Sequence, residues 1–382
     1  MSIEKQLFTP HFRRARVTID LAALKHNALT AKKNAPNSSL MVVLKANAYG
    51  HGFIECAQTL LSVADELAVA SMDDALFLRS YLAKQLDQQQ IAITTLSGFY
   101  SADEIPEAVN NNVSFIVYDH TQLKLLEKSD NKKTLHIWIK VDTGMSRLGF
   151  AIDDLADVLL RIAQLNSVEI RGIVSHLANA DEPTHTSNAR QLARFLELKQ
   201  QYSDRNWQWS LANSAAVMGI SGAHQDWIRP GIMLYGSSPI IDQSAESLNL
   251  KPVMTFSTEL ISIRQVTKGE SVGYGSIWTA DKQTSVGVIA CGYADGYPRH
   301  IAENTPVLID NQPSKILGRV SMDLIVVDLT NVKATIGSEV VLWGKGLPID
   351  EIARSAETIA YELLCGITQR VRKEYINVQF DD

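Results

Sequence analysis

The sequence predicts a (β/α)₈ TIM-type barrel followed by a mainly antiparallel β second domain. Eight short apolar runs recur up to about residue 245, with helix-like segments mostly between them. Repeated strand–helix units form a parallel sheet, and eight of them fit the roughly 250 residues of such a barrel. Beyond this point the apolar runs lie close together without long helices between them, which indicates antiparallel strands.

The composition is that of a soluble globular protein with room for two cores. The 382 residues are 46% hydrophobic and 20% charged, with a net charge of −6, which argues against nucleic acid or an anionic membrane as the main partner. The three cysteines are far apart and indicate neither a disulfide framework nor a metal site. The polar N-terminus and the lack of a long apolar run lead us to expect a cytoplasmic protein.

The barrel domain is expected to span residues 15–245. Residues 17–19 alternate like a strand, and Asp20 is placed to cap a helix whose apolar face includes Leu21, Leu24 and Ala28. The eight barrel strands are predicted at 41–44, 67–71, 91–96, 113–118, 135–142, 170–175, 209–212 and 231–235. A doubly wound open sheet is the alternative, but no Gly-x-Gly-x-x-Gly follows an early strand.

The second domain is expected to comprise residues 1–14 and 246–382. Its strands are predicted at 255–266, 285–291, 306–309, 324–327 and 339–343. Two short helices, at 349–355 and 358–364, are predicted to interrupt them.

Lys45 ends the first apolar run and precedes the turn-forming triplet Gly50-His51-Gly52. A buried ammonium is costly unless it is paired or neutralised, and lysines that form Schiff bases occupy such sites. The alternative is a lysine that extends from the strand end into solvent.

Polar residues also follow three other predicted barrel strands. In a (β/α)₈ barrel the C-terminal strand ends form the active-site rim. The residues that share this placement are Tyr49 after the first strand, Lys140, Asp142 and Arg147 at the fifth, Ser175 and His176 at the sixth, and Asn213 and Ser214 at the seventh. Lys140 either pairs with a carboxylate such as Asp142, in which case the pair could simply fill a layer of the barrel, or is covalently modified. His176 could equally be a hydrogen-bonded core histidine.

A phosphate site is predicted near the last strands. Ser214 and the backbone N–H groups of Gly231 and Ile232 could hold a phosphate, which barrels often bind beside strands seven and eight. Arg229 lies in an apolar context, where it could face a ring nitrogen or a carboxylate. A Schiff-base lysine combined with a phosphate site indicates pyridoxal phosphate.

Seven motifs, in order along essentially the whole chain, resemble those of the alanine racemases, which are fold-type III pyridoxal-phosphate enzymes. They read VVLKANAYGHG, KVDTGMSRLGF, IVSHLANADEP, WIRPGIMLYG, VGYGSIW, GYADGYPR and GRVSMD. The resemblance implies interconversion of L-alanine and D-alanine, which supplies D-alanine for peptidoglycan. A racemase of broader specificity, a non-catalytic pyridoxal-phosphate carrier and a decarboxylase are the alternatives.

The resemblance also implies roles for individual residues. Lys45 would form the Schiff base and act as one base, and Tyr274 of the partner subunit in a homodimer would act as the other. The cofactor would also be held by Tyr49, His176, Asn213, Ser214, Arg229, Gly231 and Ile232.

The substrate carboxylate would be bound by Arg147 and by the N–H of Met322 from the partner, while Tyr293 would narrow the access channel. Lys140 would be carbamylated and would hold Arg147. The chain departs from the family at Gln369, where many members have a tyrosine that contacts the phosphate, and at Ser321, where a cysteine is frequent.

Overall fold

The computed structural model describes residues 12–85, 91–130 and 133–378. After strand β1 (Arg16–Asp20) and helix α1 (Leu21–Asn34), eight parallel strands close into a barrel, which confirms the predicted fold class. The barrel strands are β2 (Ser39–Val43), β3 (Glu66–Val69), β4 (Ala92–Thr95), β5 (Val113–Val117), β6 (Leu135–Lys140), β7 (Val168–Val174), β8 (Gln208–Asn213) and β9 (Trp227–Arg229). Strand β9 pairs with β2, so no barrel edge is left open.

Helical segments connect the barrel strands. They are α2 (Lys45–Tyr49), α3 (Phe53–Leu60), α4 (Met72–Gln85), α5 (Glu104–Asn110), α6 (His120–Glu127), α7 (Leu155–Ile162), α8 (Thr186–Gln201) and α9 (Ser214–Gly219). Asp20 caps α1 as predicted, because its side chain accepts the Ala23 N–H at 3.1 Å. No helix in the described part of the chain is long and apolar enough to cross a membrane.

The last barrel strand is not where the sequence predicted it. The predicted strand at 231–235 is a 3₁₀ helix, Ile232–Tyr235, and the strand is Trp227–Arg229 instead. Trp227 and Ile228 pair with Ser39 and Leu40 of β2. Pro230 has no N–H with which to continue the ladder, so the strand ends before it.

The second domain is built on one eight-stranded sheet. Its strands are β10 (Met254–Val266), β13 (Thr284–Ile289), β14 (Pro306–Ile309), β15 (Gln312–Leu317), β16 (Ile325–Asp328), β17 (Glu339–Trp343), β18 (Arg372–Ile376) and β1, while β11 (Ser271–Val272) and β12 (Trp278–Thr279) form a separate hairpin. All pairings are antiparallel except that between β1 and β18. Strand β1 therefore belongs to this sheet, although the predicted domain boundary at residue 15 assigned it to the barrel.

The C-terminal part of the chain returns to the mouth of the barrel. After α10 (Ile349–Ser355), helix α11 (Ala360–Cys365) lies against the loop that follows β2. A Cβ on Gly50 would lie 2.2 Å from the Leu364 carbonyl oxygen, and Lys373 Nζ donates to the Gly50 carbonyl at 2.7 Å. Both the barrel and the C-terminal segment therefore shape the surroundings of Lys45.

A buried ion pair fills the barrel near the start of its strands. Glu66, the first residue of β3, is fully buried, and both its oxygens accept from the Arg171 guanidinium at 2.7 Å. The Trp138 and Trp227 rings lie beside the Arg171 guanidinium, at 5.2 and 5.8 Å. Because the catalytic groups of such barrels lie at the opposite, C-terminal ends of the strands, we assign this ion pair a structural role.

Candidate active site

Lys45 begins a turn of left-handed helix at the C-terminal end of β2. Ala46, Asn47, Ala48 and Tyr49 have φ angles of 54°, 55°, 52° and 51°. This conformation costs about 1–2 kcal/mol per residue for L-amino acids, so the surrounding structure must enforce it. The turn ends the strand abruptly and leaves the Lys45 side chain at the open mouth of the barrel.

Polar contacts hold the strained turn from both sides. His51 is fully buried, and its Nδ1 lies 3.1 Å from the Ala48 carbonyl oxygen and 2.9 Å from that of Tyr49, so Nδ1–H donates to both. Asn47 Oδ1 accepts the Phe53 N–H at 2.8 Å. The sequence predicted only a turn at His51, although a histidine between two glycines beside a strand end is a signal for such a role.

His51 is expected to make the protein less stable in acid. Burial lowers its pKa from 6.5 to about 4, so between these values the unfolded chain binds a proton that the folded chain does not. The free energy of unfolding should therefore fall as the pH drops from 6.5 towards 4, by about 2 kcal/mol at pH 5 from this group alone. Urea unfolding at pH 5 and pH 7 measures the loss.

The matched variant is His51→Asn, whose amide can still donate to the turn but cannot titrate. It should lose less stability than the wild type between pH 7 and pH 5. The variant should still show the loss of stability that comes from His176, because burial and the nearby Arg229 also lower the pKa of that histidine. An equal loss in the variant and the wild type would contradict the assignment to His51.

An anion-binding cradle lies beside the Lys45 turn. Ser214 Oγ accepts the Gly231 N–H at 2.7 Å, and a Cβ on Gly231 would lie 2.5 Å from Tyr49 Oη, so only glycine fits there. Helix α9 begins at Ser214 and the 3₁₀ helix begins at Ile232. The first N–H groups of a helix lack intrahelical partners and attract anions, so the cradle suits a phosphate.

Neighbouring residues fix the cradle in place. The Asn213 side chain caps α9 by accepting the Ala216 N–H at 3.0 Å. The Tyr49 ring stacks on Tyr235 at 4.6 Å, and Tyr361 of α11 lies 5.8 Å from it. Tyr235 and Tyr361 were missed from the sequence because Tyr235 lay in the predicted strand at 231–235 and Tyr361 in the predicted helix at 358–364, where a tyrosine is an ordinary packing residue.

Arg229 is a fully buried cation with neutral partners. It donates to Ser210 Oγ at 2.5 Å and to the Ser175 carbonyl at 2.6 Å, and its Nη2 lies 3.4 Å from His176 Nδ1. Burial lowers its pKa to about 10. His176 Nε2 in turn lies 3.5 Å from Asn213 Nδ2. The predicted histidine and arginine therefore lie side by side at the barrel rim.

Lys45, Lys140 and Arg147 add further positive charge to the same rim. Burial and the nearby Arg147 lower the pKa of Lys45, and burial with Arg229 and Arg147 lowers that of Lys140 to about 8. The Asp142 carboxylate accepts the N–H groups of Gly144 and Met145. In the described residues no ion pair joins Asp142 to Lys140, so a Lys–Asp pair does not fill the barrel.

Three predicted site residues lie in the second domain and are exposed in the single chain. The exposed fractions of Tyr274, Met322 and Tyr293 are 70%, 52% and 38%. Tyr293 and Met322 lie together, because the Tyr293 N–H donates to the Ser321 carbonyl and the Ala294 N–H to the Met322 carbonyl. No hydrogen bond or ring contact in the described residues joins Tyr274 to Lys45 of the same chain.

The residues present fit pyridoxal phosphate. Lys45 offers an amine that can bond an aldehyde, and the cradle of Tyr49, Ser214 and Gly231 suits the phosphate. In the part of the chain that the structure describes, neither Lys45 nor Arg229 pairs with a carboxylate, so the site carries excess positive charge. Gln369 is exposed, and Tyr361 is the aromatic residue of the C-terminal segment that lies near the cradle.

Comparisons with known sequences give one consistent result. Family models for the N-terminal and C-terminal domains of alanine racemase match residues 19–239 and 253–375. The alanine racemase of Stutzerimonas stutzeri is 43% identical over 360 residues, which cover 94% of this chain and 98% of that protein. The biosynthetic alanine racemase of Pseudomonas aeruginosa is 42% identical over 359 residues, with the same coverage of both chains.

Solved structures agree with the sequence matches. The crystal structure of the biosynthetic alanine racemase from Pseudomonas aeruginosa aligns with a TM-score of 0.90 at 42% identity and covers 95% of this chain and 99% of that one. The structure of alanine racemase from Bartonella henselae with covalently bound pyridoxal phosphate aligns with a TM-score of 0.84 at 30% identity, with the same coverage. The similarity therefore includes both domains.

Proposed function

The chain belongs to the alanine racemase family of isomerases, and we propose that it interconverts L-alanine and D-alanine with pyridoxal phosphate as its cofactor. The observation that carries this proposal is the position of Lys45. It begins a strained turn that lies beside the anion-binding cradle and beside Arg229, which is buried and pairs with no carboxylate in the described residues. A solved relative with covalently bound pyridoxal phosphate supports the choice of cofactor.

Each group of the rim has a distinct task in this proposal. Lys45 would hold the cofactor covalently, and Tyr49, Ser214, Gly231 and Ile232 would bind its phosphate. Arg229 would donate to the ring nitrogen, with His176 and Asn213 beside it. When bound, pyridoxal phosphate supplies an electron sink for the charge left by removal of the substrate's α-proton.

Racemisation needs a proton acceptor on each face of the substrate's α-carbon. Lys45 would serve one face, since its lowered pKa increases the fraction of neutral amine that can accept a proton. Tyr274 would serve the other face from the partner subunit of a homodimer. Its exposure in the single chain supports a role outside that chain's own fold.

Substrate binding would combine both subunits. Arg147 would pair with the alanine carboxylate, together with the Met322 N–H from the partner, and Tyr293 from the partner would limit the size of the side chain. Carbamylation of Lys140 would replace its positive charge with a negative one, which would attract the nearby Arg229 and Arg147. The pKa of about 8 at Lys140 supports this, because only the neutral amine reacts with carbon dioxide.

The domain organisation follows from this proposal. The barrel domain would bind the cofactor, and the β-rich domain would complete the site of the partner subunit. The biosynthetic role of the relative from Pseudomonas aeruginosa supports a supply of D-alanine for peptidoglycan.

A panel of L-amino acids, assayed with and without added pyridoxal phosphate, tests the proposal. We expect racemisation of L-alanine that depends on the cofactor and exceeds that of the larger amino acids. Equal rates with several amino acids would indicate a broader-specificity racemase. Absence of racemisation in the cofactor-saturated protein would contradict the proposed function and leave a non-catalytic carrier as the alternative.

A further inference from the structure

Asp295 is a fully buried carboxylate in the second domain, outside the residues already assigned to the site. It accepts the Gly292 N–H at 3.0 Å and a hydrogen bond from Arg13 Nη2 at 2.5 Å, and Arg370 Nε lies 3.1 Å from its Oδ1 in an ion pair. These partners come from three distant parts of the chain. Burial of a carboxylate is tolerated when cations and hydrogen bonds satisfy it in this way.

The same two arginines reach a second carboxylate, Asp323. Arg370 Nη2 donates to Asp323 Oδ1, and Arg13 Nη2 lies 3.5 Å from the same oxygen. Two cations thus lie between two anions, one buried and one half-exposed. Because Asp323 directly follows Met322, this cluster ties the Asp295 turn to the loop that carries Met322.

Backbone contacts couple the two loops further. The Tyr293 N–H donates to the Ser321 carbonyl at 3.1 Å, and the Ala294 N–H donates to the Met322 carbonyl at 3.0 Å. A Cβ on Gly292 would lie 2.3 Å from the Met322 carbonyl oxygen, so the loops approach as closely as the backbone allows. A shift of Asp295 would therefore move Tyr293 and Met322 relative to each other.

We propose that Asp295 is a positioning residue that sets the geometry of Tyr293 and Met322, the groups offered to the partner's active site. This inference rests on the proposed function, and it adds Asp295, Arg13 and Arg370 to the residues on which substrate binding depends. Asp295 acts only through other residues, because its buried carboxylate is fully used by its own chain.

The variant Asp295→Asn keeps an oxygen for the Gly292 N–H and removes the charge that holds the two arginines. We expect KM for both alanine enantiomers to rise about 10- to 100-fold, since misplaced binding groups weaken substrate contacts, while kcat changes much less. The visible absorbance of the bound cofactor should stay unchanged, because no hydrogen bond or ion pair in the described residues joins Asp295 to Lys45 or to the cradle.

The matched control is Glu66→Gln, which also removes a fully buried, arginine-paired carboxylate, but at the far end of the barrel. The melting temperature of Glu66→Gln should fall, as that of Asp295→Asn should, but its KM should stay unchanged.

Arg370→Lys serves as a second variant if Asp295→Asn fails to fold. It keeps the positive charge but loses the paired contacts of Nε with Asp295 and of Nη2 with Asp323. It should therefore raise KM, as Asp295→Asn does.

Purified mixed dimers show which site Asp295 serves. When a Lys45→Ala subunit is paired with an Asp295→Asn subunit, the one working site uses an intact Asp295, and KM should equal the wild-type value. When a wild-type subunit is paired with a Lys45→Ala/Asp295→Asn subunit, the working site uses the altered loops, and KM should be raised.

Three results would overturn this inference while the proposed function stands. They are an unchanged KM in Asp295→Asn, an equal rise of KM in Glu66→Gln, and the reverse pattern of KM values in the mixed dimers. A wild-type protein that does not racemise alanine would overturn the proposed function, and this inference with it.

Discussion

Lys45→Ala is expected to lower the rate of alanine racemisation at least about 10⁴-fold, because in the proposed mechanism Lys45 both anchors the cofactor and serves as one of the two bases. The strained turn that follows Lys45 ends strand β2 and leaves this amine at the barrel mouth. The variant should also lose the long-wavelength absorbance band of the covalently held cofactor. Rates in both directions and an absorbance spectrum measure the two effects.

A small primary amine added to Lys45→Ala provides the control for this prediction. It should restore part of the lost rate, since it replaces the missing functional group without refolding the turn. A long-wavelength band that survives in Lys45→Ala would contradict the covalent role of Lys45. Loss of the band without loss of racemisation would contradict its role as a base.

Tyr274→Phe should lower kcat about 10²–10⁴-fold, the usual contribution of a positioned acid–base group. The change removes only the hydroxyl from a side chain that is 70% exposed in the single chain, so it should not affect folding. In deuterated water, one alanine enantiomer should still exchange its α-proton through Lys45. Mass spectrometry of each enantiomer separates this exchange from racemisation.

Tyr100→Phe is the matched control for Tyr274→Phe. Tyr100 has the same exposed fraction of 70% and has no role in the proposed mechanism. Its turnover should equal that of the wild type. Wild-type turnover of L-alanine by Tyr274→Phe would contradict the two-base mechanism.

The fold could be predicted because most of its strands are short apolar runs that local patterns reveal. Strand β9 escaped detection because it has only three residues, Trp227–Arg229, and ends in an arginine before Pro230. The place of β1 was also missed, since its partner β18 lies more than three hundred residues away in the sequence. Pairing over such a distance leaves no trace in local periodicity.

The candidate site residues of the barrel could be singled out in the sequence for a similar reason. Lys45 and Arg229 stand out as cations in apolar sequence, and the fold brings both to one rim. The cluster around Asp295 could not be predicted, because Arg13 and Arg370 meet there only through tertiary packing. The left-handed turn after Lys45 has no signature in residues such as Ala46 and Ala48, which rarely adopt positive φ.

The central claim is that Lys45 of one subunit and Tyr274 of its partner form one active site. Mixing inactive Lys45→Ala with inactive Tyr274→Phe tests it most directly, after the subunits have been allowed to exchange. We expect about a quarter of the wild-type activity, because about half of the dimers are mixed and each mixed dimer has one intact site of two. If no activity reappears although mixed dimers have formed, the site is not shared between subunits.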